Sequence, residues 1–318
     1  MVICVQRGLK LKLHQLKYVF TVANEGLNVS LAAEQLHTSQ PGVSKQIRLL
    51  EDEIGVPIFN RTGKRLTDIT PAGNEIVSRI RTILREIENI KLIGKEHTGE
   101  EEGILVIATT HTQARYALPK IVKTFLSQHP KVSLSVKQGY PKQIAKMVLD
   151  GEADLVIATE AVSQSKNLIA LPCYKWNRCV LVLPKHPLLK RRTRLSLKNL
   201  SEYPIVTYDD AFAGQNFVHD AFANAGLQPN VVFTALDTDV IKAYVEIGLG
   251  IGLVATMAYD KSRDNKLRMI DVGHLFAPNT TWVGIRRGSY LRRYVYDFIQ
   301  LFAPHLDKRT IMAAMQLE

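Results

Sequence analysis

Runs of apolar residues long enough to cross a bilayer are missing: nowhere do about 18 stand together, so a membrane-spanning helix is excluded. Cysteine is scarce. Cys4, Cys173 and Cys179 form no even framework and no short paired spacing, which excludes a disulfide scaffold and a zinc or redox site and fits a reducing cytoplasm. None of the nine histidines stands in a His-Glu-x-x-His pair, and no Gly-x-Ser-x-Gly turn occurs. Without an assembled acid, base and nucleophile, neither an enzyme nor a metal or cofactor is expected. Met1 to Leu13 has scattered basic residues but no apolar core of signal-peptide length, so export is not expected.

Acidic residues are outnumbered, 30 against 41 Lys and Arg, for a net charge of +11. Residues 1–95 hold 14 of the cations and 9 of the acids, so the N-terminal part is the more basic per residue. That balance suits an anionic partner such as nucleic acid. At 318 residues, 46% hydrophobic and 22% charged, the chain is ordinary globular protein of more than one domain.

Residues 13–58 read as closely spaced short helices, with Leu16, Val19, Phe20 and Ala23 at helical steps. Ser30 is expected to cap one helix, with Leu31, Ala32 and Leu36 turned inward. After a turn at His37 to Ser39, a second helix starts near Gln40–Pro41, capped by Ser39 or Thr38, and buries Val43, Ile47 and Leu50. Its opposite side then carries Gln40, Ser44, Lys45 and Arg48. Short polar groups at a helix tip followed by long cations suit a major groove, where Gln and Ser read base edges and Lys or Arg grips phosphate or guanine. The alternative, a merely solvated helix face, is disfavoured by what comes next in the chain. Phe59 to Ile69 reads as a hairpin whose Arg61, Lys64 and Arg65 would lie along the flanking DNA backbone, giving a winged helix-turn-helix. Thr70 and Pro71 then open a long helix in which Ile76, Ile80, Ile83, Ile87 and Ile90 repeat at four, three, four, three, the seam of a self-associating helix, with a helix packed on a core as the alternative because the run spans only about two heptads.

Polar, glycine-bounded Lys95 to Gly103 reads as a hinge. Beyond it, strands and helices alternate: Ile104 to Ala108, Ala114 to Gln128, Val132 to Val136, Gln143 to Leu149 and Leu155 to Ala158. A second set has strands near Cys179 to Leu183, Ile205 to Thr207, Val231 to Thr234 and Gly252 to Val254, with a helix from Asp239 to Ile247. Two open, mostly parallel α/β lobes around a cleft follow, the architecture of periplasmic binding proteins. The divisions expected are 1–70 for the winged helix-turn-helix, 71–95 for the linker and dimerisation helix, and 96–103 for the hinge. Residues 104–173 with 279–306 form a first effector lobe, and 174–278 a second.

Strand Ile104 to Ala108 delivers Thr110, His111, Thr112 and Gln113 to a helix N-terminus, and Leu155 to Ala158 delivers Thr159 and Glu160 to the same sheet edge. Hydroxyls, a Gln amide and free helix amides suit a small anion. Capping by Thr110 or Thr112 is the equal alternative. His111 reads as a supporting residue rather than a base. Gly248, Gly250 and Gly252 follow a helix and lead into a strand, the reverse of a nucleotide fingerprint, and so read as a helix stop with tight packing. Lys190, Arg191, Arg192 and Arg194 read as loop decoration.

Two stretches, AAEQLHTSQPGVSKQIRLLEDEIGVPIF and NRTGKRLTDITPAG, closely resemble LysR-type transcriptional regulators. Downstream, IATTHTQARYALP, ADLVIATEA, LPCYKWNR, DVIKAYVEIGLGIG and YVYDFIQLFAPHL resemble the CysB and Cbl branch, which governs sulfur assimilation. The resemblance covers about Leu11 to Leu306. It implies a cytoplasmic, ligand-responsive, homodimeric to homotetrameric regulator that binds double-stranded promoter DNA and works with RNA polymerase. The implied effector is small and anionic or zwitterionic, an acetylserine-type inducer or sulfate. Cleft positions of the branch correspond to Thr110, Thr112, Gln113 and Thr159, with Trp176 near the lobe junction. A branch threonine falls on Ala213, removing a hydroxyl, and nearby Asp209 and Asp210 would disfavour an anion if they face the cleft. Leu11-Lys12 stands where the branch begins Met-Lys, so initiation at Leu11 is expected. A solute-binding protein shares the two-lobed plan but has no use for the first 95 residues.

Overall fold

The computed structural model describes residues 11–63, 65–97, 102–209 and 217–316, which fall into two compact units, Met1–Gly94 and Lys95–Glu318. Met1 to Lys10, Lys64, Asp210 and Ala213 lie outside the described residues.

In the first unit, α1 (Leu13–Asn24), α2 (Val29–Gln35) and α3 (Gln40–Ile54) precede the hairpin β1 (Phe59–Thr62) and β2 (Arg65–Ile69), and α4 (Pro71–His97) follows. Val19, Val22, Ala32, Val43, Ile47, Leu50, Ile58 and Phe59 form its core, each large side chain contributing roughly 1.5–3 kcal/mol by burial. The start of α2 differs from the sequence expectation. Asn28 caps it, accepting from Leu31 N at 3.1 Å, and Leu31 is exposed. The cause is the turn before it: Gly26 and Leu27 both take positive φ (59° and 68°), so the chain enters the helix two residues earlier, and Ala33 joins the expected Ala32 in the core while Leu31 does not. Ser39 caps α3 through Gly42 N, and Gly55 in the left-handed region closes it. Thr70 accepts from Gly73 N at 2.8 Å and donates to Pro57 O at 2.7 Å, tying the start of α4 to the hairpin. Gly73 has no room for a side chain, because the Ile58 carbonyl lies against it.

The seam of α4 is divided. Ile76 and Ile80 pack into the first unit's core, whereas Ile83, Ile90 and Ile93 are exposed. The helix runs on to His97 and the next strand begins at Gly103, so the segment expected as a hinge is helical at its start, and 98–101 lie outside the described residues.

The second unit holds two five-stranded sheets. One has the order β4 (Val132–Gln138), β3 (Gly103–Thr109), β5 (Leu155–Ala158), β12 (Asn279–Arg286), β6 (Leu168–Trp176). The other has β11 (Arg268–Asp271), β7 (Arg178–Val182), β10 (Ile251–Ala255), β8 (Ile205–Tyr208), β9 (Val231–Ala235). Each combines three parallel strands with antiparallel ones, so the sheets are mixed rather than mostly parallel: β12 runs against β5 and β6, and β7 against β10 and β11. Strands β6, β11 and β12 were not expected individually. Pro172 interrupts the pattern of β6, and it is tolerated because β6 is an edge strand with a register shift opposite Thr281/Trp282.

Around the sheets pack α5 (Leu118–Gln128), α6 (Pro141–Asp150), α7 (Glu160–Ser163), α8 (Leu197–Ser201), α9 (Phe217–Asn224), α10 (Thr238–Glu246), α11 (Arg293–Phe302) and α12 (Lys308–Gln316). A π-helical turn, Gln113–Ala117, precedes α5. Gly250 lies against the Pro204 carbonyl and Gly252 against Val245, in keeping with tight packing at the end of α10. Among the described residues no helix is long and apolar enough to cross a membrane, and no group of three or more His, Cys, Asp or Glu could hold a metal.

Candidate functional site

Helix α3 presents one exposed polar side because Val43, Ile47 and Leu50 consume the other. Gln40 Nε2 donates to Ser44 Oγ at 3.3 Å, so the two short polar groups share a face, and Lys45 and Arg48 stand exposed a turn later. Pro41 occupies the first turn, where a missing amide hydrogen costs nothing. A surface groove of about 500 Å³ is lined by Gln40, by the turn and first residues of α2 (Gly26 to Ser30) and by Arg65 and Leu66 of the hairpin. The wing strand and the α3 tip therefore border one concavity. Arg61 is placed differently from expectation. Its guanidinium pairs with Glu51, whose other oxygen accepts Ile58 N (2.9 Å) and Phe59 N (3.1 Å). The half-buried carboxylate needs a cation, so Arg61 fastens the hairpin to α3 instead of lying along a flanking surface.

In the second unit, the carboxyl ends of parallel strands from both sheets meet at one cavity of about 110 Å³. Thr110 follows β3, Thr159 follows β5, Asp209 follows β8 and Leu236 follows β9, while Trp176 and Arg178 flank the passage from the first sheet to the second. Thr112, Gln113, Tyr208 and Asn279 complete the polar lining. Gln113 is buried and fixed: its Nε2 donates to Thr281 Oγ1 at 3.1 Å and its Oε1 accepts from Tyr174 OH at 2.6 Å. Tyr208 OH meets Thr238 Oγ1 at 2.6 Å, and burial raises its pKa, so it stays a neutral hydroxyl. Thr112 makes no side-chain cap bond to the helix it precedes, which leaves the capping alternative without support at that residue.

Arg178 is buried, its guanidinium carbon 5.7 Å from the Trp176 ring and 5.9 Å from that of Phe276. A guanidinium cannot be neutralised by deprotonation, so the lining carries a permanent cation. Trp176 Nε1, which can only donate, is buried with no partner among the described residues. A donor and a cation on one lining are groups that suit an oxyanion. Asp209 supplies the opposite charge on the same lining.

The model of the bacterial regulatory helix-turn-helix protein, lysR family, matches residues 13–74, and that of the LysR substrate binding domain matches 98–307. The chain belongs to the LysR family. It is 47% identical over 308 residues to the HTH-type transcriptional regulator CysB of Burkholderia cenocepacia, covering 97% of this chain and 98% of that one. With the regulator SsuR of the same organism it shares 48% over 302 residues, 95% and 98% of the two chains. The crystal structure of the cofactor-binding domain of the Cbl regulator matches with a TM-score of 0.65 at 41% identity, covering 68% of this chain and 95% of that one. The resemblance to the CysB and Cbl branch is thus upheld, as is the plan of a helix-turn-helix followed by a two-sheet effector domain.

In this LysR-family chain the structure gathers Thr110, Thr112, Gln113, Thr159 and Trp176 around one cavity, and Ser39, Gln40, Pro41, Ser44, Lys45 and Arg48 at one helix. Arg178, Tyr208 and Asn279 went unnoticed in the sequence. Arg178 lies inside the LPCYKWNR stretch, and its signal was an arginine opening an otherwise wholly apolar, buried strand, Arg178–Val182.

Proposed function

We propose that this chain is a cytoplasmic transcription regulator that binds promoter DNA as a homodimer or homotetramer and controls sulfur-assimilation genes, with RNA polymerase as its further partner. In this reading Gln40 and Ser44 read base edges while Lys45, Arg48, Arg65 and Lys64 contact the backbone. The exposed Ile83, Ile90 and Ile93 of α4 pair with a second copy. Thr110, Thr112, Gln113, Thr159 and Trp176, joined by Arg178, hold the effector. The names of the CysB, SsuR and Cbl relatives support the sulfur role.

The observation that carries the effector reading is the buried Arg178 beside the unpartnered Trp176 indole N–H. With Asp209 opposite in charge, the lining favours a ligand bearing both signs, an acetylserine-type molecule, over a bare dianion. Ligand held between lobes changes their closure and so the spacing of the DNA-reading heads. Footprinting on promoter fragments with and without O-acetylserine tests the whole: a ligand-dependent change in the protected region is expected, lost with Gln40→Ala/Ser44→Ala. An identical footprint at every ligand concentration sinks the effector mechanism, and unselective binding by the unsubstituted protein sinks the DNA reading.

A further inference from the structure

Beside the inner cavity lies a second of about 330 Å³, three times its volume. The two share Thr110, Pro141 and Leu236 in their walls, so they adjoin. Their linings differ in kind. The inner one has Arg178, the indole N–H and several hydroxyls. Among the described residues lining the outer one there is no Lys or Arg. Its His111 is engaged with Gln138 Oε1 at 3.2 Å and Asp239 Oδ2 at 3.4 Å. Its Asp237 already accepts Val240 N at 2.9 Å as the cap of α10. Beyond that carboxylate, whose charge keeps a second anion away, the lining offers neutral amide from Gln138 and Gln143 and apolar surface from Tyr140 and Leu236, which are 47% and 60% exposed. Large apolar side chains left this open at a cleft mouth gain most when a ligand covers them.

We propose that the two cavities form one binding site for an organic acid. Its oxyanion head sits in the inner chamber against Arg178 and Trp176 Nε1, and an uncharged body of several heavy atoms lies in the outer chamber against Tyr140 and Leu236. This rests on the effector reading above and deepens it. The head supplies the anchorage that any small oxyanion would have. The body supplies selectivity, because only a ligand with one reaches both Tyr140 of the first sheet's side and Leu236 of the second's. A bare oxyanion such as sulfate occupies the inner chamber without reaching Tyr140, so it gains the anchorage and not the selectivity.

Isothermal titration calorimetry on the full-length protein separates the two contributions with probes that share a head: methanesulfonate against 1-hexanesulfonate, and acetate against hexanoate. The longer member of at least one pair is expected to bind about tenfold more tightly, a difference falling below about threefold in Tyr140→Ala/Leu236→Ala. The short member's affinity stays unchanged in Tyr140→Ala alone, whose side chain lines only the outer chamber. Both side chains are exposed, so the substitution leaves the core intact. Equal affinities within each pair, or a chain-length preference that survives the double substitution, overturn the two-chamber site and leave the anion site standing. If none of the four probes binds, this inference fails, and if O-acetylserine titrated in the same way does not bind either, the effector reading fails with it.

Discussion

Replacing Asp264 by alanine removes one partner of a buried ion pair that joins two parts of the effector unit. Lys242 Nζ lies 2.7 Å from Asp264 Oδ2, and the side chains are 9% and 11% exposed. The same ammonium donates to Tyr116 OH at 3.2 Å and stands 4.9 Å from that ring's centre. Asp264 also accepts Asp260 N at 2.8 Å. Truncation therefore leaves a buried ammonium with a hydroxyl, a ring face and the more distant Asp239 charge, plus a backbone N–H without its acceptor. Losing one member of a buried pair costs about 3–5 kcal/mol, and because Tyr116 continues to solvate the ammonium we expect the lower end, about 3 kcal/mol. Removing both charges with Lys242→Met/Asp264→Leu should recover most of that loss, since desolvation of the pair offsets much of its attraction. Urea denaturation followed by tryptophan fluorescence reads the effect cleanly, because Trp176 and Trp282, the chain's two tryptophans, both lie in the effector unit. With an m-value near the top of the ordinary range, about 3 kcal/mol/M, the single variant's midpoint should fall by about 1 M. A loss under about 1 kcal/mol, or a double variant less stable than the single one, would refute the reasoning.

The neighbouring cluster predicts a pH dependence. Desolvation pushes the Asp239 carboxyl up, but hydrogen bonds from Tyr116 (2.5 Å) and His111, with the charges of Arg115 and Lys242, outweigh it and hold the carboxyl below its usual value. A depressed folded-state pKa means stability that is present above the unfolded carboxylate value and lost as pH falls through the folded one. Effector-unit stability in Asp239→Asn should accordingly change less on acidification below about pH 4 than in the unsubstituted chain, with parallel curves excluding the effect. For the hairpin, Arg61→Ala should lower stability by about 1–2 kcal/mol and leave the salt slope of DNA binding unchanged, whereas Arg48→Ala should reduce that slope by about 1. The opposite pattern in salt titrations would return Arg61 to the DNA surface. Ile83→Asp/Ile90→Asp should yield smaller particles by light scattering, and an unchanged mass would show that α4 does not pair the copies. Ala213→Thr should tighten sulfate binding in calorimetry; equal affinity removes any role for that missing hydroxyl.

Local pattern alone determined much here. The α3 cap at Ser39, the inward Val43, Ile47 and Leu50, the hairpin, and Thr70 with Pro71 opening α4 all depend on neighbours within one or two turns, so periodicity and capping chemistry expose them. Strand ends carrying Thr110 and Thr159 were legible for the same reason. Other features depend on partners far along the chain. Asn28 displaced Ser30 as a cap because a positive-φ turn set the entry. Arg61 looked like any surface cation until folding put Glu51 beside it. The division of the isoleucine seam between core and surface depends on how far the first unit's core reaches along α4, which a heptad count does not contain. Arg178 is the clearest case. Only the meeting of two sheets makes it a buried cation facing a cavity with an unpartnered indole, because charge acquires that meaning from what surrounds it in space, not from its place in the sequence.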